Sequence, residues 1–274
     1  MSFSTLSIKN RKMILEIMFL AVDVGNTQTV VGVYRGSDLV ASWRLPTMRD
    51  DTPDGLCARL LPLMEMACVS RKGIARAALS SVVPQLNGAW TAAVERLAGV
   101  DMLICTAQTA GGLFQADYPH PEEIGADRVA DAVACKVKHG FPSVVVDFGT
   151  ATNMEVIDER GMFIGGIIAP GLQTSASTLI SSGAQLSSVG LVAPARAIGR
   201  NTREALESGI MYGEAARVDG LIGRIVSELG CPARVIATGG LASLVAHLSV
   251  RIDVVDPDLT LEGLRLISEA NSPR

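Results

Sequence analysis

The sequence predicts an α/β protein of two similar halves, each with a mixed sheet flanked by helices, and a ligand cleft between them. Three observations predict it. Short apolar strands alternate with helical stretches along the chain, which is the pattern of layered sheets. A series of apolar strand, Asp-x-Gly, small polar residues and hairpin occurs at Asp23 and again at Asp147, 124 residues on, a weak internal repeat in a matching strand order. No low-complexity segment or long linker separates the two halves, so they face each other and leave a cleft as the natural place for a ligand.

The elements follow in chain order. Residues 1–17, MSFSTLSIKNRKMILEI, read as an N-terminal extension before the fold, with Met18 as a candidate start. The apolar residues 13–22 are too few and too interrupted to span a membrane. The first half covers residues 18–140. FLAVDVG, TVVGVYRG and LVASWRL are three short strands joined by tight turns, one at Gly36-Ser37-Asp38. A helix is expected near Gly55–Cys68, a buried strand at 77–84, a helix near Ala89–Leu97, a buried strand at 102–107 and a helix at Ala126–His139. The second half covers 141–274. SVVVDFG begins it, and TNMEVIDERG and MFIGGIIAPG form a hairpin turning near Arg160-Gly161. A long amphipathic helix runs from the Asn201-Thr202 cap to Gly230. Strand 233–240, a short helix LASLVAHL, strand IDVVDP and a closing helix LTLEGLRLISEA complete the chain.

Composition narrows the function. The chain has 274 residues, a formal net charge of -4 and no basic cluster, so neither nucleic acid nor an anionic membrane is the expected partner. An acidic protein still holds phosphates through backbone amides and a few local cations. The five cysteines are scattered, with no C-x-x-C pair, and the three histidines lie far apart. That pattern fits a reducing cytoplasm and gives no zinc site or disulfide framework.

Four motifs carry chemistry. In D-V-G-N-T-Q-T (Asp23–Thr29), Gly25 lets the backbone turn close to a ligand. Asn26, Thr27 and Thr29 offer donors to phosphate oxygens, and Asp23 suits Mg2+, directly or through water. Alone, this loop fits an ordinary Asx turn equally well. D-F-G-T-A-T (Asp147–Thr152) adds a second strand-end carboxylate and two hydroxyls, so that two loops grip one nucleotide from both sides. There is no Walker-type G-x-x-x-x-G-K-[ST] and no G-x-G-x-x-G opening a first βα unit. In E-I-G-A-D-R, Asp127 sits in a first helical turn, where exposed amides are expected to lower its pKa and leave a modest base. Arg128 offers a fork to a carboxylate or phosphate, although an exposed helix-start pair is the simpler reading of these two residues in isolation. The glycine-rich stretches at 165–171 and 237–240 read as turns after strands that let the backbone approach a base or ribose.

In order, these motifs resemble the type III pantothenate kinases of the acetate and sugar kinase/actin superfamily. The matching segments are D-V-G-N-T, S-S-V-V-P (80–84), Y-x-x-P-x-E-x-G-A-D-R (118–128), D-F-G-T-A-T, G-G-x-I-x-P-G, I-G-R-N-T (198–202), S-G-I-M-Y-G (208–213), A-T-G-G-L and V-V-D-P-x-L-T-L-x-G-L (254–264). The resemblance implies two ribonuclease H-like (actin-like ATPase) halves and phosphorylation of pantothenate by ATP, the first step of coenzyme A synthesis. It implies an ATP phosphate loop at Asp23, Val24, Gly25, Asn26, Thr27, Gln28, Thr29 and Val30, with Thr150 also on ATP. Asp127 is implied as the base, and Tyr118, Gly125, Ala126, Asp127, Arg128 and Thr202 as pantothenate contacts. Asp147 is implied to hold a monovalent cation, K+ or NH4+, and Asp23 to attend Mg2+. A homodimer is also implied, with Thr202 contributed across the subunit interface.

Two departures stand out. Asn153 replaces the threonine usual after D-F-G-T-A-T, and C-T-A-Q-T-A-G-G (105–112) replaces a G-P-G-x-x-T-G turn beside the substrate loop. Two alternatives therefore stand beside the first reading. One is a kinase for another small hydroxy acid. The other is a catalytically idle, nucleotide-binding regulatory relative.

Overall fold

A computed structural model describes residues 17–182 and 190–272. Of the expected N-terminal extension, residues 1–16 lie outside the described residues. Among the described residues, ten strands form two five-stranded sheets. In the first, β1 (Met18–Val24), β2 (Gln28–Arg35) and β3 (Asp38–Pro46) make an antiparallel meander. β4 (Ile74–Ser81) then lies parallel to β1, and β5 (Met102–Ile104) parallel to β4. The sheet order is β3-β2-β1-β4-β5. In the second, β6 (Ser143–Phe148), β7 (Ala151–Ile157) and β8 (Phe163–Pro170) repeat the meander. β9 (Arg234–Thr238) and β10 (Val254–Val255) repeat the parallel pair, giving the order β10-β9-β6-β7-β8. The 124-residue echo in the sequence is thus a repeat of topology, the two-lobed ribonuclease H-like arrangement.

Among the described residues, seven α-helices fill the layers around the sheets. α1 (Pro53–Met66) and α2 (Asn87–Ala98) cover the outer face of the first sheet, with Leu56, Leu60, Trp90 and Val94 buried against Leu20, Val22 and Leu79. α4 (Leu172–Ser182), α5 (Thr202–Leu229) and α6 (Ala242–Ala246) cover the outer face of the second. α3 (Ala126–Lys138) and α7 (Leu259–Ala270) lie between the sheets. They share one core with Phe19, Ala21 and Ala78 of the first sheet and Val145, Ile157 and Ile236 of the second. The last helix of the chain therefore packs on the first half as well as the second, and the two lobes meet through a common apolar layer rather than a polar seam. Burial of that layer follows from the alternation on β1 and β6, whose residues face one helix layer or the other with period two.

Local signals set the helix ends. Thr52 caps α1 by accepting from Gly55 N at 3.1 Å, with Pro53 in the first helical position. Asn201 caps α5 by accepting from Glu204 N at 2.9 Å, and Gly230 closes it in the left-handed conformation. Three expectations need correction. β5 stops at Ile104 rather than 107, because Thr109 Oγ1 bonds Ile104 O and Thr106 N and curls the chain out of the sheet. The 165–170 stretch is not a turn after a strand; it is β8 itself, still paired with β7 through Pro170. Residues 172–182 form a helix that has no matching expectation above.

Candidate active site

The repeat places two carboxylates at equivalent points. Asp23 is the penultimate residue of β1, opposite Val30 on one side and Ser80 on the other. Asp147 is the penultimate residue of β6, between Asn153 and Thr238. Central strand ends point their last side chains into the crevice between lobes, as strand carboxyl ends do in open α/β sheets. Burial, then repulsion from Asp127 and Asp147, pushes the Asp23 carboxyl up to about 7 against the charge of Arg44. Burial and the Asp127 charge likewise push Asp147 up to about 7, again opposed by Arg44. The three acids identified from sequence at residues 23, 127 and 147 therefore feel one another's charge in a single region.

The loop after β1 is open at its tip. Asn26, Thr27 and Gln28 are exposed, whereas Val24 and Thr29 are buried. Gly25 N donates to Gln28 O at 3.0 Å and Thr47 Oγ1 to Gly25 O at 2.8 Å, which fixes the turn. The Thr29 hydroxyl lies 2.9 Å from that of Thr47 and is occupied there. The loop after β6 comes to meet the first one: the Thr27 and Thr150 hydroxyls are 3.0 Å apart. Thr174 Oγ1 of α4 donates to Thr150 O at 2.7 Å and anchors this loop. Asp147 is enclosed on its other side by Gly239, whose φ is 90°. A Cβ there would stand 2.2 Å from Asp147 Oδ1, so both the backbone angle and the carboxylate demand glycine.

α3 brings the third acid. Asp127 folds back over its own helix start, and its Oδ1 accepts from Arg128 N at 2.8 Å. The carboxylate lies so close to Gly125 that a Cβ at residue 125 would sit 2.5 Å from Oδ1. Its pKa is raised, not lowered as the helix start suggested: burial outweighs the Arg128 amide and the Arg128 charge. The sequence shows the helix N-terminus but not the depth at which it is buried.

Arg128 is held more firmly than an exposed cation. Its Nε donates to Glu155 Oε1 at 3.0 Å, its guanidinium lies 5.3 Å from the centre of the Phe163 ring, and its side chain is 13% exposed. Tyr118 meets the same ring edge-on at 5.9 Å, so Tyr118 and Arg128 converge on one apolar floor. Glu155 is fully buried, and among the described residues its Oε2 has no hydrogen-bond partner. Burial raises its carboxyl to about 8 despite Arg128, with the charges of Asp147 and Asp127 adding to the rise. One turn along α3, buried Asp131 accepts from Thr260 Oγ1 of α7 at 2.6 Å and is also raised well above its ordinary value, first by burial and then by Asp147 and Glu155. Glu155, Asp131 and Arg44 are cleft residues that the sequence reading missed. Of these, Glu155 alone left a trace, as a charge inside an apolar strand pattern.

Gly125 and Ala126 are half-buried at the start of α3 beside Asp127. Thr202 stands apart. It is exposed at the first turn of α5, beyond the Asn201 cap. Among the described residues, no three His, Cys, Asp or Glu side chains are grouped to hold a metal ion, and no helix is long and apolar enough to cross a membrane.

Residues 19–224 match the family profile described as type III pantothenate kinase. A type III pantothenate kinase from Thermomicrobium roseum is 46% identical over 248 residues, covering 90% of this chain and 95% of that protein. One from Frankia alni is 44% identical over 255 residues, covering 93% and 100%. Among solved structures, the ethanolamine utilization protein EutJ from Carboxydothermus hydrogenoformans superposes with a TM-score of 0.53 at 15% identity, over 91% of this chain and 89% of that one. At that identity it speaks for the fold alone.

Proposed function

The chain belongs to the type III pantothenate kinase family, and from that premise we propose how its cleft works. The reaction is the ATP-dependent phosphorylation of pantothenate, which yields 4'-phosphopantothenate and ADP at the start of coenzyme A biosynthesis. ATP lies across the cleft with its phosphates on the 23–30 loop and on Thr150. The observation that carries this reading is the meeting of the two loops through the Thr27 and Thr150 hydroxyls, beside two carboxylates that repel each other.

Asp127 takes the proton of the primary hydroxyl of pantothenate while that oxygen bonds to the γ-phosphorus and the bridge to the β-phosphate breaks. Oδ1 is already engaged by the helix amide, which leaves Oδ2 to face the hydroxyl. Phosphoryl transfer passes through a loose transition state, so the base chiefly orients the nucleophile, and a carboxyl raised by burial serves that role. Tyr118, Gly125, Ala126 and Arg128 line the acceptor site, with Arg128 pre-set by Glu155.

The donors fit the ions this chemistry uses. Mg2+ commonly takes one or two carboxylates and completes its shell with phosphates and water, and Asp23 offers such a carboxylate without a closed protein cage. Asp147, deprotonated, suits a monovalent cation, K+ or NH4+, which when bound would supply positive charge for the transfer. We further read residues 18–140 and 141–274 as the two lobes, and the active form as a homodimer. Ile198, 82% exposed just before α5, and the exposed Thr202 support a partner surface there.

The test is a coupled assay of the purified chain with ATP, Mg2+ and a panel of hydroxy acids, with and without K+, with mass identification of the product. Pantothenate is expected to be the best acceptor and K+ to raise the rate. A better acceptor among the other acids would transfer the mechanism to a different substrate, and nucleotide binding without any phosphorylated acceptor would refute it.

A further inference from the structure

Arg44 of β3 has no role in the scheme above, yet it occupies the cleft. It sits on the edge strand, opposite Val30 of the phosphate loop's strand, and its side chain is exposed. Nη1 donates to Gln28 Oε1 at 3.4 Å. On the far side, a Cβ added to Gly240 would lie 3.1 Å from the same Nη1. One guanidinium thus spans the tip of the first lobe's loop and the paired glycines of the second. Its charge reaches Asp23, Asp147 and Asp258 and draws each carboxyl down, against the larger effect of burial. Nevertheless, among the described residues it forms no ion pair with any of them. The contacts on it, a long hydrogen bond to an amide oxygen and a backbone wall, aim the fork without neutralising it. A planar fork with several N–H donors matches the paired oxygens of a phosphate or a carboxylate, and of the ligands in this cleft the nucleotide's phosphates lie on its Gln28 side.

We propose that Arg44 binds the polyphosphate chain of the nucleotide and, by touching both lobes, makes that grip depend on the cleft being closed. This rests on the reading that ATP lies between the lobes. It assigns Arg44 to the phosphates rather than to the adenine, because its hydrogen-bond partner Gln28 belongs to the phosphate loop and its nearest charges are Asp23 and Asp147.

Calorimetric binding of ADP, as a function of salt, tests it apart from pantothenate chemistry, using the full chain and the variants Arg44→Gln and Arg44→Lys. Arg44→Gln is expected to weaken ADP about tenfold, as loss of a charge-assisted contact does, and to flatten the salt dependence. Arg44→Lys recovers part of the loss, since it keeps the charge but not the fork. In turnover, KM for ATP rises while KM for pantothenate stays within about twofold, a selectivity that general damage would not produce. Unchanged ADP affinity, or a weakening with the salt dependence intact, overturns the assignment. If wild-type protein binds ADP but phosphorylates no pantothenate, the substrate reading fails and the Arg44 result still stands or falls on the ADP data. Thermal melts establish folding, and should Arg44→Gln not fold, Arg44→Lys carries the same comparison with a smaller shift.

Discussion

Asp23 and Asp147 hold the same place in the two sheets, yet their surroundings differ. Beyond Asp23 the chain runs into an open loop whose tip residues are exposed. Beyond Asp147 the space is closed by the left-handed Gly239, and the following loop is anchored to α4 through Thr174. The inner helices differ in the same sense. α3 starts with Gly125 and folds Asp127 toward the cleft, whereas α7 contributes the Thr260 hydroxyl to buried Asp131. A repeated topology therefore carries an unrepeated chemistry. In the proposed reading, one lobe supplies a loop for a highly charged ligand and an acid to act on it. The other supplies an enclosed charge and the rigid wall behind it.

Breaking the enclosed side should have the largest effect. Gly239→Ala must place a Cβ on the Asp147 carboxylate and adopt a φ that costs an L-residue about 1–3 kcal/mol. Melting is expected to fall by several degrees and turnover to fall with it. Gly36→Ala is the control, since its φ is also positive but nothing lies near its Cβ. If the two melt alike, the clash with Asp147 has no weight.

Glu155→Gln comes next. Assayed above pH 8, where Glu155 is ionised, it keeps an acceptor for Arg128 Nε but removes the charge that orients the guanidinium, so KM for pantothenate should rise about tenfold with kcat and KM for ATP little changed. Adding it to Arg128→Gln should cost nothing further if Glu155 acts through Arg128 alone.

The smallest effect sharpens the comparison electrostatically. Asp23 and Asp147 hold protons up to about 7 when folded, whereas an unfolded Asp releases its proton near 4. Between these values the native state binds more protons, so this contribution to stability is full below about pH 4 and is lost as pH rises through 7. In buffer free of Mg2+ and K+, the melting temperature should drop more steeply from pH 5 to pH 8 in wild type than in Asp147→Asn. Adding K+ at pH 8 should restore part of it in wild type. Parallel curves would mean that Asp147 is ionised throughout.

Much of this was legible from residues alone, because the informative patterns are local. The strand-Asp-x-Gly series, the Asn201 and Gly230 stops of α5 and the LTLEGLRLISEA helix depend on neighbours in sequence. What was not legible depends on depth or on distant register. α4, LQTSASTLISS, is rich in Ser and Thr, which favour turns and caps on local grounds, and tertiary packing of Leu172 and Ala176 makes it helical. The upward shift of Asp127 needs the burial of its whole environment. The Arg128–Glu155 pair joins two lobes across 27 positions, and the Arg44 contact with Gly240 joins residues almost 200 positions apart. No spacing rule connects such residues before the sheets are assembled.

The central claim is that α3 delivers the reacting base to a triphosphate held between the lobes, and Asp127→Asn tests it most directly. The variant should melt like wild type and bind ADP with similar affinity, while its production of phosphopantothenate at saturating ATP and pantothenate falls by about two to four orders of magnitude. Near-normal production by purified, folded Asp127→Asn protein would contradict the account.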